Sequence, residues 1–138
     1  MTTSSNNGKN KEFIKMDENN EADVACLDLT EALERSMGDA SFLEMLLAEY
    51  MEKMPDMIDS LKAALQTQET VKLRNLAHSL KGMSANLGCT IVFQVAMHLE
   101  DAAEKAELST CEALLLKLDK AVQKTKAHIA QIDWSAFC

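Results

Sequence analysis

The chain has 138 residues, a formal net charge of -8, and only 4 glycines and 1 proline. One domain with one hydrophobic core is the usual outcome at this length, and the shortage of turn-forming residues argues against an all-β fold and favours long helices. The 22 acidic residues outnumber the 14 basic ones, which argues against nucleic-acid binding because phosphate backbones recruit basic faces.

The first 24 residues are rich in Asn, Ser, Lys and Glu and contain few apolar anchors. Such a segment buries too little apolar surface to offset the entropy of ordering it. We therefore expect a flexible tail over residues 1–24 and one domain over residues 25–138. No stretch has the ~7–15 apolar residues of a signal peptide or the ~20 that span a bilayer, so the sequence predicts a cytoplasmic protein that does not enter a membrane.

Two helices are predicted in the first half of the chain. Asp28 and Glu31 have the spacing of a capping box, which predicts a short helix that ends at Gly38. A second helix is expected from about Asp39, because apolar residues then recur every three or four positions. These positions are Leu43, Leu46, Leu47, Tyr50, Met54, Met57, Ile58, Leu61 and Leu65. Pro55 lies inside this pattern, where its missing backbone donor predicts a kink, or a break followed by a restart.

Three more helices are predicted in the second half. The third covers about residues 69–87 and is closed by Gly88, and the fourth follows Thr90 after a short connection. The inward positions of the fourth are Val92, Val95, Ala96, Leu99, Ala103 and Ala106. A capping box from Ser109 to Glu112 predicts the start of the fifth. Together these patterns predict an all-α fold, an antiparallel up-down-up-down four-helix bundle with a short N-terminal capping helix.

Other conspicuous side chains have ordinary explanations. The four cysteines are scattered without a C-x-x-C pair, so buried or idle thiols are expected rather than zinc or disulfides. The nine methionines largely keep helical spacing and are expected to fill gaps in the core. His98 and His128 lack the E-x-x-H spacing of a di-iron bundle, so neither a metal nor a cofactor is predicted. Trp134 and Phe137 are expected to fold back onto the bundle.

The stretch most informative about chemistry covers residues 77–88 and reads A-H-S-L-K-G-M-S-A-N-L-G. Residues three and four apart share one face of a helix. One such stripe consists of Arg74, His78, Lys81, Gly82 and Ala85. The leucines of the same helix fall on the other side, so the imidazole of His78 is expected to face outward.

Three residues of this stripe suit phosphoryl chemistry. A histidine with a pKa near ~6.5 is largely neutral at cytoplasmic pH and can attack phosphorus. Lys81 supplies a cation for phosphoryl oxygens. Gly82 costs a helix ~1 kcal/mol relative to alanine, and its bare backbone lets a partner or a bulky group on the imidazole come close. A solvated helix face is the ordinary alternative for a histidine with a nearby lysine.

Residues 78–88, H-S-L-K-G-M-S-A-N-L-G, resemble the signature of histidine-containing phosphotransfer (HPt) domains. That pattern has a phosphoacceptor histidine, a lysine three residues later, and glycines four and ten residues later. The roles that the resemblance implies are phosphoacceptor for His78, phosphoryl-oxygen partner for Lys81, clearance for Gly82 and helix end for Gly88. The resemblance covers about residues 28–130, and Met83 departs from the serine or alanine that members often carry.

Further positions around His78 are candidates for the phosphoryl site and for partner docking. Support of the phosphoryl site is expected from Ser79, Gly82, Ala85 and Gly88. Partner docking is expected from Arg74, Ser79, Met83, Ala85 and Asn86, and less directly from Leu29 and Leu33 of the first helix. Some members place a polar side chain of the next helix beside the histidine. An antiparallel hairpin around Gly88 brings His98 and Glu100 roughly opposite His78, so either could touch the phosphoryl pocket.

The resemblance implies that an aspartyl phosphate and its magnesium ion arrive on a receiver domain, and that His78 accepts the phosphoryl group and passes it on. The implied partners are receiver domains of response regulators and a hybrid sensor histidine kinase. The chain has no glycine-rich nucleotide loop, so we expect a stoichiometric carrier and not an ATP-dependent kinase. A monomer is expected because one exposed histidine needs no second active site, while the apolar residues 134–138 leave dimerisation open. The alternative is a non-catalytic adaptor that docks on a kinase or receiver domain without phosphate exchange.

Overall fold

The computed structural model describes residues 26–137, and within this range all regular structure is helical. The helices are α1 (Leu29–Arg35), α2 (Ala40–Gln66), α3 (Thr70–Asn86), α4 (Thr90–Glu104) and α5 (Leu108–Ala130), followed by a 3₁₀ turn at Trp134–Phe137. The predicted tail, residues 1–24, lies outside the described residues. The all-α prediction is confirmed, and each of the predicted helices has a counterpart in the structure.

The four long helices bury one face each in a shared core. Each packs against its neighbour in sequence, α5 also packs against α2, and the α3–α4 contact is the most extensive. The large, fully buried side chains include Leu43, Leu47, Met54, Leu61, Leu73, Leu80, Leu99 and Leu118. Full burial of one such side chain contributes roughly 1.5–3 kcal/mol. This packing holds α3, the helix of His78, on both flanks.

The connections between the long helices share one geometry and are three residues long, at 67–69, 87–89 and 105–107. Their middle residues, which all have a positive φ, are Gln68, Gly88 and Ala106, at 58°, 70° and 55°. The amide that follows returns to a carbonyl five residues earlier, as in the 2.9 Å bond from Cys89 N–H to Ser84 O. Such Schellman turns satisfy the last carbonyls of a helix and reverse the chain, which makes consecutive helices antiparallel.

The break predicted at Pro55 does not occur, because α2 is continuous from Ala40 to Gln66. Pro55 is exposed, whereas its neighbours Met54 and Ile58 on the helix are buried. A proline inside a helix removes one backbone hydrogen bond. The uninterrupted apolar face offsets that loss through its contacts with the core.

The predicted start of the fifth helix is also wrong. Ser109 is not its cap, since α5 begins at Leu108 with Glu107 in the N-cap position and without a side-chain cap. Ala106, predicted to face inward, is exposed because it is the middle residue of the preceding turn. Glu107 N–H donates to Ala102 O at 2.9 Å, so the Schellman turn and not a capping box determines where α5 begins.

The two C-terminal aromatic side chains differ in burial. Trp134 is half-buried and packs against the core, which confirms that this segment folds back. Phe137 is exposed, and its ring centroid lies 6.2 Å from that of Trp134. The 3₁₀ turn that carries both rings lies against α2, far along the chain from the histidine of interest.

Hydrogen bonds from α1 and α2 fix the C-terminal half of α3. The hydroxyls of Tyr50 and Ser84 share a buried hydrogen bond of 2.6 Å between α2 and α3. Burial raises the pKa of Tyr50, so this phenol stays protonated. Arg35 Nη1 donates to Ala85 O at 2.7 Å, which places a cation at the negative end of the α3 dipole.

Gly88→Ala is expected to destabilise the fold by about 2 kcal/mol or more. Gly88 has φ +70°, and a Cβ atom there would lie 2.7 Å from the carbonyl oxygen of Asp28, so neither the backbone nor the contact with the N-terminal segment accommodates a methyl group. Urea unfolding of the two proteins measures the difference. Ala106→Gly, at the equivalent exposed position with φ 55°, is the matched control and is expected to be neutral or slightly stabilising. A Gly88→Ala protein as stable as the parent would contradict this assignment.

Candidate functional site

His78 lies midway along α3 with its side chain directed to solvent. The side chain is 64% exposed, whereas Leu73, Ala77 and Leu80 of the same helix are fully buried. The buried residues anchor one face of α3 in the core, so the opposite face must present its side chains outward. The structure thus places the imidazole where the helical spacing predicts it.

Glu100, from the C-terminal half of α4, hydrogen-bonds the imidazole from across the helix pair. Its Oε2 lies 2.8 Å from His78 Nδ1, and its Oε1 lies 2.7 Å from the ammonium nitrogen of Lys81. The Glu100 side chain is only 16% exposed. One carboxylate therefore joins the histidine and the lysine in a single hydrogen-bonded set.

The protonation of Glu100 determines which nitrogen of His78 is free. The hydrogen bond from Lys81 holds the pKa of Glu100 below its usual range; burial opposes this shift and the hydrogen bond from His78 adds to it. An ionised carboxylate only accepts hydrogen bonds, so Nδ1 of His78 must be the donor. In a neutral imidazole the second nitrogen then carries the lone pair. The lone pair of the neutral ring therefore lies on Nε2, the nitrogen that does not contact Glu100.

His98 was the other residue that the hairpin register allowed opposite His78. In the structure Glu100 is the residue that contacts His78, while His98 is exposed on α4. Residues two apart on a helix point to nearly opposite faces, so only one of the two can face α3. The sequence left this choice open because it does not specify how α4 is rotated about its own axis.

Lys81 and Gly82 lie beside the imidazole as the α3 spacing requires. Lys81 is 29% exposed and its ammonium group is held by Glu100 in this structure. A Cβ atom built on Gly82 would meet no atom within 4 Å, so the glycine leaves open space next to His78. Ser79, the following neighbour of His78, is exposed. These four side-chain positions form one continuous surface.

The remaining predicted residues lie elsewhere on α3, just beyond its end, or on α1. Ala85 is half-buried with its carbonyl bonded to Arg35, Asn86 is exposed, and Arg74 and Met83 are half-buried. Met83 packs partly against the core, as do Leu29 and Leu33 of α1. Gly88 is buried at the helix end, about 15 Å along the axis from His78. The structure therefore brings Gly88 to α1 and not to the imidazole.

Between residues 26 and 137, no three His, Cys, Asp or Glu side chains cluster so that they could hold a metal ion. Cys26, Cys89 and Cys111 are free thiols, and burial raises the pKa of each. None of the helices in this range has the length and apolar character needed to cross a membrane.

Comparison with known proteins gives both a family and a related structure. The family model described as Hpt domain matches residues 45–128, more than half of the chain. The crystal structure of histidine-containing phosphotransfer protein B (HptB) from Pseudomonas aeruginosa PAO1 is similar, with 26% sequence identity and a TM-score of 0.72. The similarity covers 78% of this chain and 94% of that one. The comparison with curated proteins gave no match.

Proposed function

Since the chain belongs to the Hpt domain family, whose members carry phosphoryl groups in two-component signalling, we propose that His78 is its phosphoacceptor. In this proposal His78 takes a phosphoryl group from the aspartate of one receiver domain and passes it to the aspartate of another. The observation that supports it best is the exposed imidazole whose Nδ1 is engaged by Glu100, which leaves the Nε2 lone pair free for a partner to approach.

The site supplies a nucleophile and a cation but little else. Nε2 attacks phosphorus in line with the bond to the receiver aspartate, and the charge on the three phosphoryl oxygens needs stabilisation during transfer. Lys81 is three residues from His78 and is bound to the same carboxylate, so a modest rotation of its flexible chain brings the ammonium group to those oxygens. The rigid bundle holds the imidazole in position and reduces the entropic cost of alignment.

The proposal makes the protein a stoichiometric carrier without kinase activity of its own. The four glycines of the chain, Gly8, Gly38, Gly82 and Gly88, do not form a phosphate-binding loop. The phosphoryl donor and its magnesium ion therefore come with the receiver domain. The partners proposed are receiver domains of response regulators and of a hybrid sensor histidine kinase. The cytoplasmic location and the monomeric state stay predictions.

Transfer from purified receiver domains tests the proposed function. Receivers are phosphorylated with radiolabelled acetyl phosphate, freed of the donor, and mixed with this protein in a panel. Label is expected on the protein with at least one receiver, and it should be lost in acid and kept in base, as for phosphohistidine. Label that survives acid would indicate phosphoserine, for example on Ser79 or Ser84, and would contradict the proposal. Docking without any transfer across the panel would favour the adaptor.

Gly82→Ala is expected to slow transfer by about tenfold while the protein becomes up to about 1 kcal/mol more stable. The added methyl group meets no atom of the chain itself, so it strengthens the helix but occupies the space that a receiver approaches. Rapid-quench transfer rates and urea unfolding, measured on the same preparations, separate the two effects. An unchanged transfer rate would show that Gly82 does not provide clearance for the partner.

A further inference from the structure

The two oxygens of Glu100 have separate partners. Oε1 accepts from the Lys81 ammonium at 2.7 Å, and Oε2 accepts from His78 Nδ1 at 2.8 Å. Lys81 can leave for a phosphoryl group on Nε2 without disturbing the second contact. The Nδ1–Oε2 bond lies on the side of the ring away from the reacting nitrogen, so phosphorylation does not compete with it.

We propose that Glu100 keeps one proton on Nδ1 of His78 throughout the phosphoryl cycle, so that transfer in either direction requires no proton to enter or leave the ring. This inference rests on the proposed function of His78 and assigns Glu100 as a positioning residue that acts through the imidazole. The inference concerns the proton balance of the transfer, which the exposure of His78 does not determine.

The bond changes balance without a separate base. In loading, the Nε2 lone pair forms an N–P bond while the P–O bond to the receiver aspartate breaks and its electron pair leaves on the carboxylate. The ring becomes a phosphoimidazolium that still carries the Nδ1 proton, paired with the Glu100 carboxylate. In unloading, a carboxylate oxygen of the accepting aspartate forms the P–O bond and the N–P pair returns to Nε2. The neutral ring that results already has its proton on Nδ1 and can react again.

Without the carboxylate the proton balance would differ. An imidazole titrates at about 6.5. Above neutral pH, a phosphorylated ring without a carboxylate partner therefore has a bare Nδ1, that is, a nitrogen that carries no proton. Each loading step would then release a proton and each unloading step would take one up. An opposite charge in hydrogen-bond contact favours the charged form of a group. The Glu100 carboxylate is therefore suited to keep the phosphoimidazolium protonated.

The other charges near the ring do not offer this contact. On α3, Arg74 and Lys81 lie one turn to either side of His78 and are cations. On α4, Asp101 is held by a lysine one turn on at 3.2 Å, and Glu104 is exposed. From α2, the other helix packed against α3, no described charged side chain bonds His78. Glu100 is the carboxylate in contact with the imidazole among the residues that the structure describes.

Nitrogen NMR of the His78 ring tests the inference without a receiver domain. The chain has three histidines, so His98→Gln and His128→Gln are introduced first and His78 alone is observed. The full chain is phosphorylated chemically with phosphoramidate, and spectra are recorded just above neutral pH before and after modification. The Glu100→Gln variant keeps the shape of the side chain without its charge, and Asp101→Asn removes a neighbouring exposed charge of α4 as the matched control.

Nδ1 is expected to give the signal of a protonated nitrogen both before and after phosphorylation in the parent protein and in Asp101→Asn. In Glu100→Gln the phosphorylated ring is expected to show a bare Nδ1. A bare Nδ1 in the phosphorylated parent would overturn the inference, as would a protonated one in Glu100→Gln. These readings do not depend on any receiver, so the inference can fail while the proposed function stands.

A second readout follows the transfer equilibrium with a receiver that exchanges phosphate. Above neutral pH, the ratio of phosphohistidine to aspartyl phosphate should be nearly independent of pH in the parent. Asp101→Asn should give the same result as the parent. In Glu100→Gln this ratio should rise about tenfold for each unit of increase in pH, because each loading step then releases one proton. Equal pH dependence in the parent and Glu100→Gln would contradict the inference.

Discussion

His78→Gln is expected to reduce phosphoryl acceptance by a factor of about 10³ or more, to the limit of detection. Glutamine offers no nucleophilic nitrogen, and no other imidazole shares the contact with Glu100. The His78 side chain is 64% exposed, and substitutions at exposed positions change stability by only about 0.5 kcal/mol. The loss should therefore occur in a protein whose helical circular dichroism and unfolding midpoint are close to those of the parent.

The other two histidines provide the control for this loss. His98 and His128 are both exposed on helices, without the lysine and glycine that follow His78. A double variant, His98→Gln with His128→Gln, is expected to accept label at the parental rate. Acceptance that persists in His78→Gln, or that disappears in the double variant, would assign the phosphoryl group to a different residue.

Lys81→Gln is expected to lower the rate of transfer about 100-fold without abolishing it, the usual effect of removing one stabilising donor from a reacting centre. The ammonium group offsets charge on the phosphoryl oxygens during transfer, whereas the imidazole that attacks phosphorus remains in the protein. Rapid-quench measurement of transfer from a labelled receiver gives the rate. Lys81→Arg keeps the charge but not its geometry, so it should recover only part of the loss.

A lysine of the neighbouring helix separates this local effect from the general charge of the surface. Lys105 is exposed and paired with Asp101 at 3.2 Å, away from the imidazole. Lys105→Gln removes one positive charge as Lys81→Gln does, and it is expected to change the transfer rate by less than about twofold, since exposed pairs contribute little. Equal losses in Lys81→Gln and Lys105→Gln would mean that Lys81 acts through long-range attraction of the partner.

The helices were predictable because local signals and the apolar pattern agree with each other. Asp28 and Asp39 were expected at helix starts, and both side chains accept a hydrogen bond from the amide three residues on, Glu31 and Phe42. The start of α5 was not predictable in this way. There the turn places Ala106 at φ 55°, a conformation that an alanine does not lead one to expect. The apparent capping box falls inside the helix.

The part of the site that lies on one helix was also predictable, and the part contributed by a second helix was not. The positions of His78, Lys81 and Gly82 relative to one another follow from the repeat of α3. Glu100 belongs to α4, so its contact depends on the register and rotation of two packed helices. The sequence narrowed the choice to Glu100 or His98, and only the packing of α4 against α3 decides between them.

The most direct test of His78 as the phosphoacceptor is to identify which ring nitrogen carries the phosphoryl group. The protein is loaded by a phosphorylated receiver, and phosphorus and nitrogen NMR together with mass spectrometry of the peptide that contains His78 identify the modified atom. The structure predicts one phosphoryl group on Nε2 of His78, because Glu100 occupies Nδ1. A phosphoryl group on Nδ1, or on any residue other than His78, would show that Nε2 of His78 is not the acceptor.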